Sequence, residues 1–118
     1  MNERDRLFLN HILSAIAEIE AFTTVGRGDF MTDSKTQSAV IRQLEIIGEA
    51  VKNLSKALTD SEPDVPWRQI AGARDRLIHA YFNVDIDAVW TMVEQDLPSL
   101  RVDVRRIVAA PTTPPHSG

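Results

Sequence analysis

The stretch Lys35-Thr-Gln-Ser-Ala-Val40-Ile-Arg-Gln-Leu44-Glu-Ile-Ile47-Gly48-Glu-Ala-Val51-Lys-Asn-Leu54 decides the fold class. Its apolar stripe, Val40, Leu44, Ile47, Val51 and Leu54, advances by alternate steps of four and three, the register of a helix packed lengthwise on other helices. Thr32, Asp33 and Ser34 offer N-caps ahead of it, so the pattern predicts a helix from Lys35 to about Leu58. Gly48 interrupts the stripe. A glycine within a helix costs about 1 kcal/mol relative to alanine, which points to a close backbone approach by another helix or chain. Arg42, Glu45, Glu49 and Lys52 form an i, i+3 or i+4 charge ladder that reads as a solvated face. The other reading is that Glu45 or Glu49 orients a catalytic residue on a neighbouring helix.

The same period extends to both sides. Upstream, Leu9, Ile12, Leu13, Ile16 and Ile19 predict an amphipathic helix from Glu3 to Thr23, with His11 as a surface or boundary histidine. Thr24 to Asp29 has the glycines of a loop, without the spacing or the lysine of a phosphate-binding loop. Downstream, Thr59 to Pro66 is a connection rich in Asp, Glu and Pro. Pro66 is placed to start a helix from Trp67 to about Tyr81, with Ile70, Ala73, Leu77 and Ala80 on its core side. Phe82 to Asp85 breaks that helix. Asp85 then caps a last one, with Ile86, Val89, Trp90, Val93, Leu97, Leu100, Val104 and Ile107 buried and a kink or restart near Asp96 because Pro98 lies inside the pattern. No segment alternates with period two. An all-α, mostly antiparallel bundle of four to five helices over residues 1–110 is expected, with a disordered tail from Pro111 to Gly118.

Composition narrows the function. At 118 residues, 43% hydrophobic and 25% charged, the chain fits one soluble domain. There is no cysteine, and His11, His79 and His116 are far apart with no pair at i, i+4, so neither a disulfide framework nor a zinc site is indicated. No apolar run approaches the roughly 20 residues that span a bilayer, and a cytoplasmic protein is expected. The formal charge of −4 argues against a long duplex tract as ligand. Between Trp67 and Tyr81, however, Arg68, Arg74 and Arg76 outweigh Asp75, a local +2 that leaves −6 for the remainder. A small basic site on an acidic body suits a docked phosphodiester, and equally an acidic protein partner.

That basic segment, Ala73-Arg74-Asp75-Arg76-Leu77-Ile78-His79-Ala80-Tyr81, holds the candidate site residues. Asp75 and His79 at i, i+4 share a helix face, and a carboxylate neighbour favours the charged imidazole and fixes its tautomer. His79 could serve as general acid or base and Arg74 could stabilise a pentacoordinate phosphate, with no metal needed and Asp75 and Arg76 in support. The same cluster also has the composition of a surface ion-pair lattice, so the residues alone leave both readings open. On a straight helix Arg74 and His79 are offset by roughly 140°. The helix therefore ends or bends near His79, or a second copy completes the site.

These residues carry a resemblance. Arg42-Gln-Leu-Glu45-Ile-Ile-Gly48-Glu49, Val65-Pro66-Trp67-Arg-Gln-Ile-Ala-Gly72, Arg74-Asp75-Arg-Leu-Ile-His79-Ala-Tyr81, Val89-Trp90 and Asp96-Leu-Pro98 resemble the HepT toxin family of the HEPN superfamily of helical ribonucleases, over nearly the whole chain to about Ile107. The resemblance implies a metal-independent endoribonuclease without cofactor, acting on RNA (tRNA or mRNA) as a homodimer whose two motifs face one cleft. It maps the family's catalytic arginine and histidine onto Arg74 and His79. It maps onto Tyr81 the tyrosine to which an MntA-like nucleotidyltransferase antitoxin adds AMP. Asp75 departs from the asparagine common after that arginine. The alternative to a toxin ribonuclease is a catalytically idle HEPN module that binds a nucleotide, RNA or a partner.

Overall fold

Each helix of the chain has an identifiable physical start. The computed structural model describes residues 1–79 and 85–110, and within them the side chains at all positions except 74 and 76–79. Helix α1 (Glu3–Phe22) is capped by Asn2, whose side chain accepts from the Asp5 N–H at 2.7 Å. A turn follows, in which Gly26 adopts φ +90°, a conformation that disfavours any side chain. Helix α2 (Arg27–Thr32) starts there, where the glycines suggested only a loop. Within it Phe30, fully buried, packs at a tilt against Trp90 with ring centroids 5.1 Å apart, a contact between segments distant in sequence that anchors this short helix.

Helix α3 (Ser34–Lys52) is capped by Asp33. The Thr36 hydroxyl and backbone N–H, joined by the Lys35 N–H, hold the Asp33 carboxyl below its ordinary pKa. The expected stripe is buried throughout, and so is Gly48. The helix does not continue to Leu58. It stops at Lys52, and Ser55 caps a separate short helix, α4 (Lys56–Ser61), which occupies the first part of the expected connection. The break has a physical cause: Ser55 donates from its N–H (2.8 Å) and its hydroxyl (2.6 Å) to Asp5 of α1. Asp5 is only 3% exposed, so these bonds satisfy a carboxylate that burial would otherwise penalise.

Helix α5 (Trp67–His79) begins directly after Pro66, whose carbonyl accepts from the Ile70 N–H at 3.1 Å. Asp85 caps α6 (Ile86–Thr91) by accepting from the Ala88 N–H. The expected restart near Asp96 takes the form of a π-helical turn, Met92–Asp96, in which the Leu97 N–H reaches back to the Met92 carbonyl. Pro98, the second residue of α7 (Leu97–Ala109), has no N–H to continue the α-helical ladder, and the widened turn absorbs that loss.

The long helices pack antiparallel around one core. Near the start of α1, Arg4 bonds Asn53 at the end of α3 (3.1 Å) and Arg6 reaches the Val108 carbonyl at the end of α7 (3.4 Å). At the other end of α1, Glu20 pairs with Arg101. Leu9, Ile12, Ile16, Ile19, Val40, Ile47, Val89 and Val104 are at most 2% exposed and form the centre. Leu13, expected in the core, is half-buried, and Ala15 takes the inner position. The architecture is all-α, and α3 lies between α1 and α5, packed on both. That position brings its last turn beside the candidate site.

Candidate active site

The base of α5 is firmly held. Trp67 is buried and donates from Nε1 to the Glu62 carbonyl at 3.2 Å, while Val65 beside it is also buried. Ala73 is buried and Ile70 half-buried, as their positions on the core side predict. Arg68 and Gln69 are exposed. The expected core partners Leu77 and Ala80 lie outside the described side chains and residues respectively.

Arg74, Asp75, Arg76 and His79 all lie on α5, which is continuous from Trp67 to His79. Residues 74 and 79 both fall within this helix, whose described part ends at His79, and five residues of α-helical geometry offset their backbone positions by roughly 140°. Asp75 and His79 stand one turn apart on a single face. Tyr81, the expected modification site, lies outside the described residues, as do Phe82 to Val84, where a helix break is expected.

Asp75 is exposed, and its Oδ1 lies 4.0 Å from the Lys52 Nζ at the end of α3. This contact was not readable from periodicity, which assigns Lys52 to the charge ladder of its own helix. A cation from α3 thus offsets the one negative charge in the basic segment. Two exposed charges at that separation attract weakly. The consequence for a docking phosphate is local: the field near residue 75 is less repulsive than the aspartate alone would make it.

Glu45 pairs with Arg42 at 3.5 Å, and both line, with Glu49, a hollow of about 360 Å³ that also takes in Phe8 and His11 of α1. His11 is exposed and stands edge-on to Phe8, with ring centroids 5.5 Å apart, in keeping with a surface histidine. Among the described residues, no helix is long and apolar enough to cross a membrane.

A broad groove of about 910 Å³ opens along the first turns of α5, between α4 and the segment leading into α5. Lys56, Thr59, Pro63, Pro66 and Arg68 are among its lining residues. It shares α5 with the motif.

Known proteins resemble the chain over most of its length. A family model described as "Ribonuclease HepT-like" matches residues 12–107. A "Probable ribonuclease HepT" of Thermococcus cleftensis is 48% identical over 102 residues, covering 86% of this chain and 93% of its own length. A "Putative RNase" of Caldanaerobacter subterraneus is 41% identical over 104 residues, covering 87% and 93%. A Methanocaldococcus jannaschii protein named "Gamma-glutamylcyclotransferase and putative RNase" is 40% identical over 109 residues, which span 92% of this chain and 49% of that longer protein. No solved structure matches significantly.

Proposed function

The chain belongs to the HepT-like ribonuclease family, and from that membership we propose that it is a metal-independent endoribonuclease in which Arg74 and His79 act on one phosphodiester. The ribose 2′-hydroxyl loses its proton to a general base, its oxygen attacks phosphorus, and the bond from phosphorus to the 5′-oxygen breaks. The products are a 2′,3′-cyclic phosphate and a 5′-hydroxyl, the latter protonated by a general acid. Histidine suits either proton transfer near neutral pH. A guanidinium suits the extra negative charge of the pentacoordinate phosphate.

The observation that supports this reading is the run of α5 from Trp67 to His79, one helix that holds both positions of the family's arginine and histidine pattern. Their offset on that helix supports a homodimer in which two motifs share a cleft, each chain supplying groups that a single straight helix does not converge. Asp75, relieved by Lys52, and Arg76 support the pair. In the wider system the protein acts as a cytoplasmic toxin on tRNA or mRNA. An MntA-like nucleotidyltransferase neutralises it by adding AMP to Tyr81, placing a bulky anion near the arginine of the motif.

Cleavage of a labelled RNA pool tests the mechanism. His79→Ala lowers the rate by roughly 10² to 10⁴, the usual share of general acid-base catalysis, and chelator leaves the parental rate unchanged. A requirement for magnesium, or parental activity in His79→Ala, excludes the assignment.

A further inference from the structure

On α5 the residues Arg68, Gly72, Asp75 and His79 recur at i, i+4, i+7 and i+11, so they form one face. Gly72 has an unusual setting for a helix interior. A Cβ built on it meets nothing within 4 Å, so packing within the described chain gives no reason for a glycine where alanine is the better helix former. Arg68, one turn earlier, is exposed and makes no hydrogen bond or ion pair among the described residues. The groove beside α4 is lined by Arg68 on one side and Lys56 on the other, the latter paired with Asp60 at 2.6 Å. Val51 of α3 also lines it, and the next residue, Lys52, reaches Asp75. Asp60, which lines the groove too, offsets Lys56, so Arg68 supplies the groove's unpaired positive charge among the described residues, and Lys52 stands beyond it toward the motif. From Arg68 to Asp75 the helix rises about 10 Å, the reach of two neighbouring nucleotides of a single strand.

We propose that this groove and the open face at Gly72 hold the single-stranded RNA that flanks the scissile phosphate, with Arg68 and Lys52 as its phosphate contacts. The proposal rests on the ribonuclease reading and extends it to substrate binding. An unpaired exposed guanidinium is complementary to a phosphate and carries a desolvation cost if covered by protein without a partner. Duplex RNA is gripped over a long surface by shape and phosphate contacts. A single groove on a body of net charge −4 suits a short single strand instead. Pro63 and Pro66, both exposed, offer apolar contact to bases without reading their identity. The glycine lets the strand approach the helix backbone closely.

Fluorescence anisotropy of a labelled, mixed-sequence 2′-O-methyl RNA tests the assignment, because a methylated 2′-oxygen cannot serve as the nucleophile and binding is read without cleavage. Arg68→Ala weakens binding about fivefold, as loss of one exposed charge pair does, and lowers the slope of log affinity against log salt by about 0.7. Arg68→Glu weakens it by roughly 20-fold. Lys52→Ala acts in the same direction as Arg68→Ala. Gly72→Leu, which fills space left open by the fold, weakens binding without lowering the melting temperature. In cleavage, Arg68→Ala raises KM while kcat stays within about twofold, as for a residue that positions the strand away from the chemistry. Unchanged affinity and salt slope in both Arg68→Ala and Gly72→Leu overturn the groove while parental cleavage keeps the ribonuclease reading intact. Parental protein that neither binds nor cleaves RNA removes both. A change of mass in Arg68→Ala by sedimentation assigns the face to a second copy and overturns the proposal.

Discussion

Asp75 is a carboxylate in the middle of the basic segment, and the fold answers it with Lys52 rather than with a neighbour on α5. Its charge is therefore offset from α3, while its backbone position one turn before His79 leaves it on the histidine's face. Tyr81 sets the second residue-scale expectation. Its hydroxyl is the group to which AMP is added in the proposed system, and phenylalanine keeps the ring while removing that oxygen. Tyr81→Phe is expected to fold, to cleave RNA and to escape the antitoxin. Intact mass after incubation with ATP and a cognate nucleotidyltransferase checks this. AMP found on Tyr81→Phe, or full activity in the parent after complete AMP addition, rules out Tyr81 as the switch. Arg74 and His79 stood out as candidates from their residue chemistry and from the family resemblance, while the residues alone left a surface ion-pair lattice equally open. The Lys52 contact was not legible, because residues 52 and 75 meet only through the packing of α3 on α5.

At the scale of elements, the junction between α3 and α4 depends on one side chain. Ser55 caps α4 by accepting from the Leu58 N–H at 3.1 Å and donates to buried Asp5. Ser55→Ala removes the cap and one of the two bonds that satisfy Asp5. A loss of about 1–3 kcal/mol is expected, the range for an N-cap deletion joined to a weakened buried acceptor. Urea denaturation of parent and variant measures it, and equal midpoints exclude the role given to Asp5 and Ser55. The stripe from Val40 to Leu54 cannot reveal this break, since Leu54 stays buried on the correct side although the helix has ended. Apolar periodicity records which face is covered and carries no mark of where a distant carboxylate captures the backbone. The π-turn before Pro98 shows the opposite case. A proline inside a helical pattern announces a local defect, and the defect appears within the turn that precedes it.

For the whole molecule, the decisive quantity is the number of chains. With both residues on α5, Arg74 and His79 diverge by roughly 140° around the helix, and a dimer joined near the motif is expected. Sedimentation equilibrium at micromolar concentration should give twice the 13.2 kDa of one chain. A single species of 13.2 kDa would exclude the shared cleft. Such a pair would be isologous, each motif meeting its own copy, and the Tyr81 end must stay open to a modifying partner.

The amino-acid sequence by itself determined the helical class, the buried stripe of α3, a cap for that helix within Thr32 to Ser34, the start of α5 after Pro66 and the placement of an arginine, an aspartate and a histidine on one helix. These follow from local rules: period, caps and the missing N–H of proline act within a few residues, and each leaves its signature in composition. Only the tertiary structure decided that α3 stops at Lys52, that the contact of Phe30 with Trp90 anchors the short helix Arg27–Thr32, and that Lys52 stands beside Asp75. The same holds for the groove beside Arg68. Each of these depends on contacts between residues far apart in the chain, whose energies are set by how helices pack and not by any pattern within one of them.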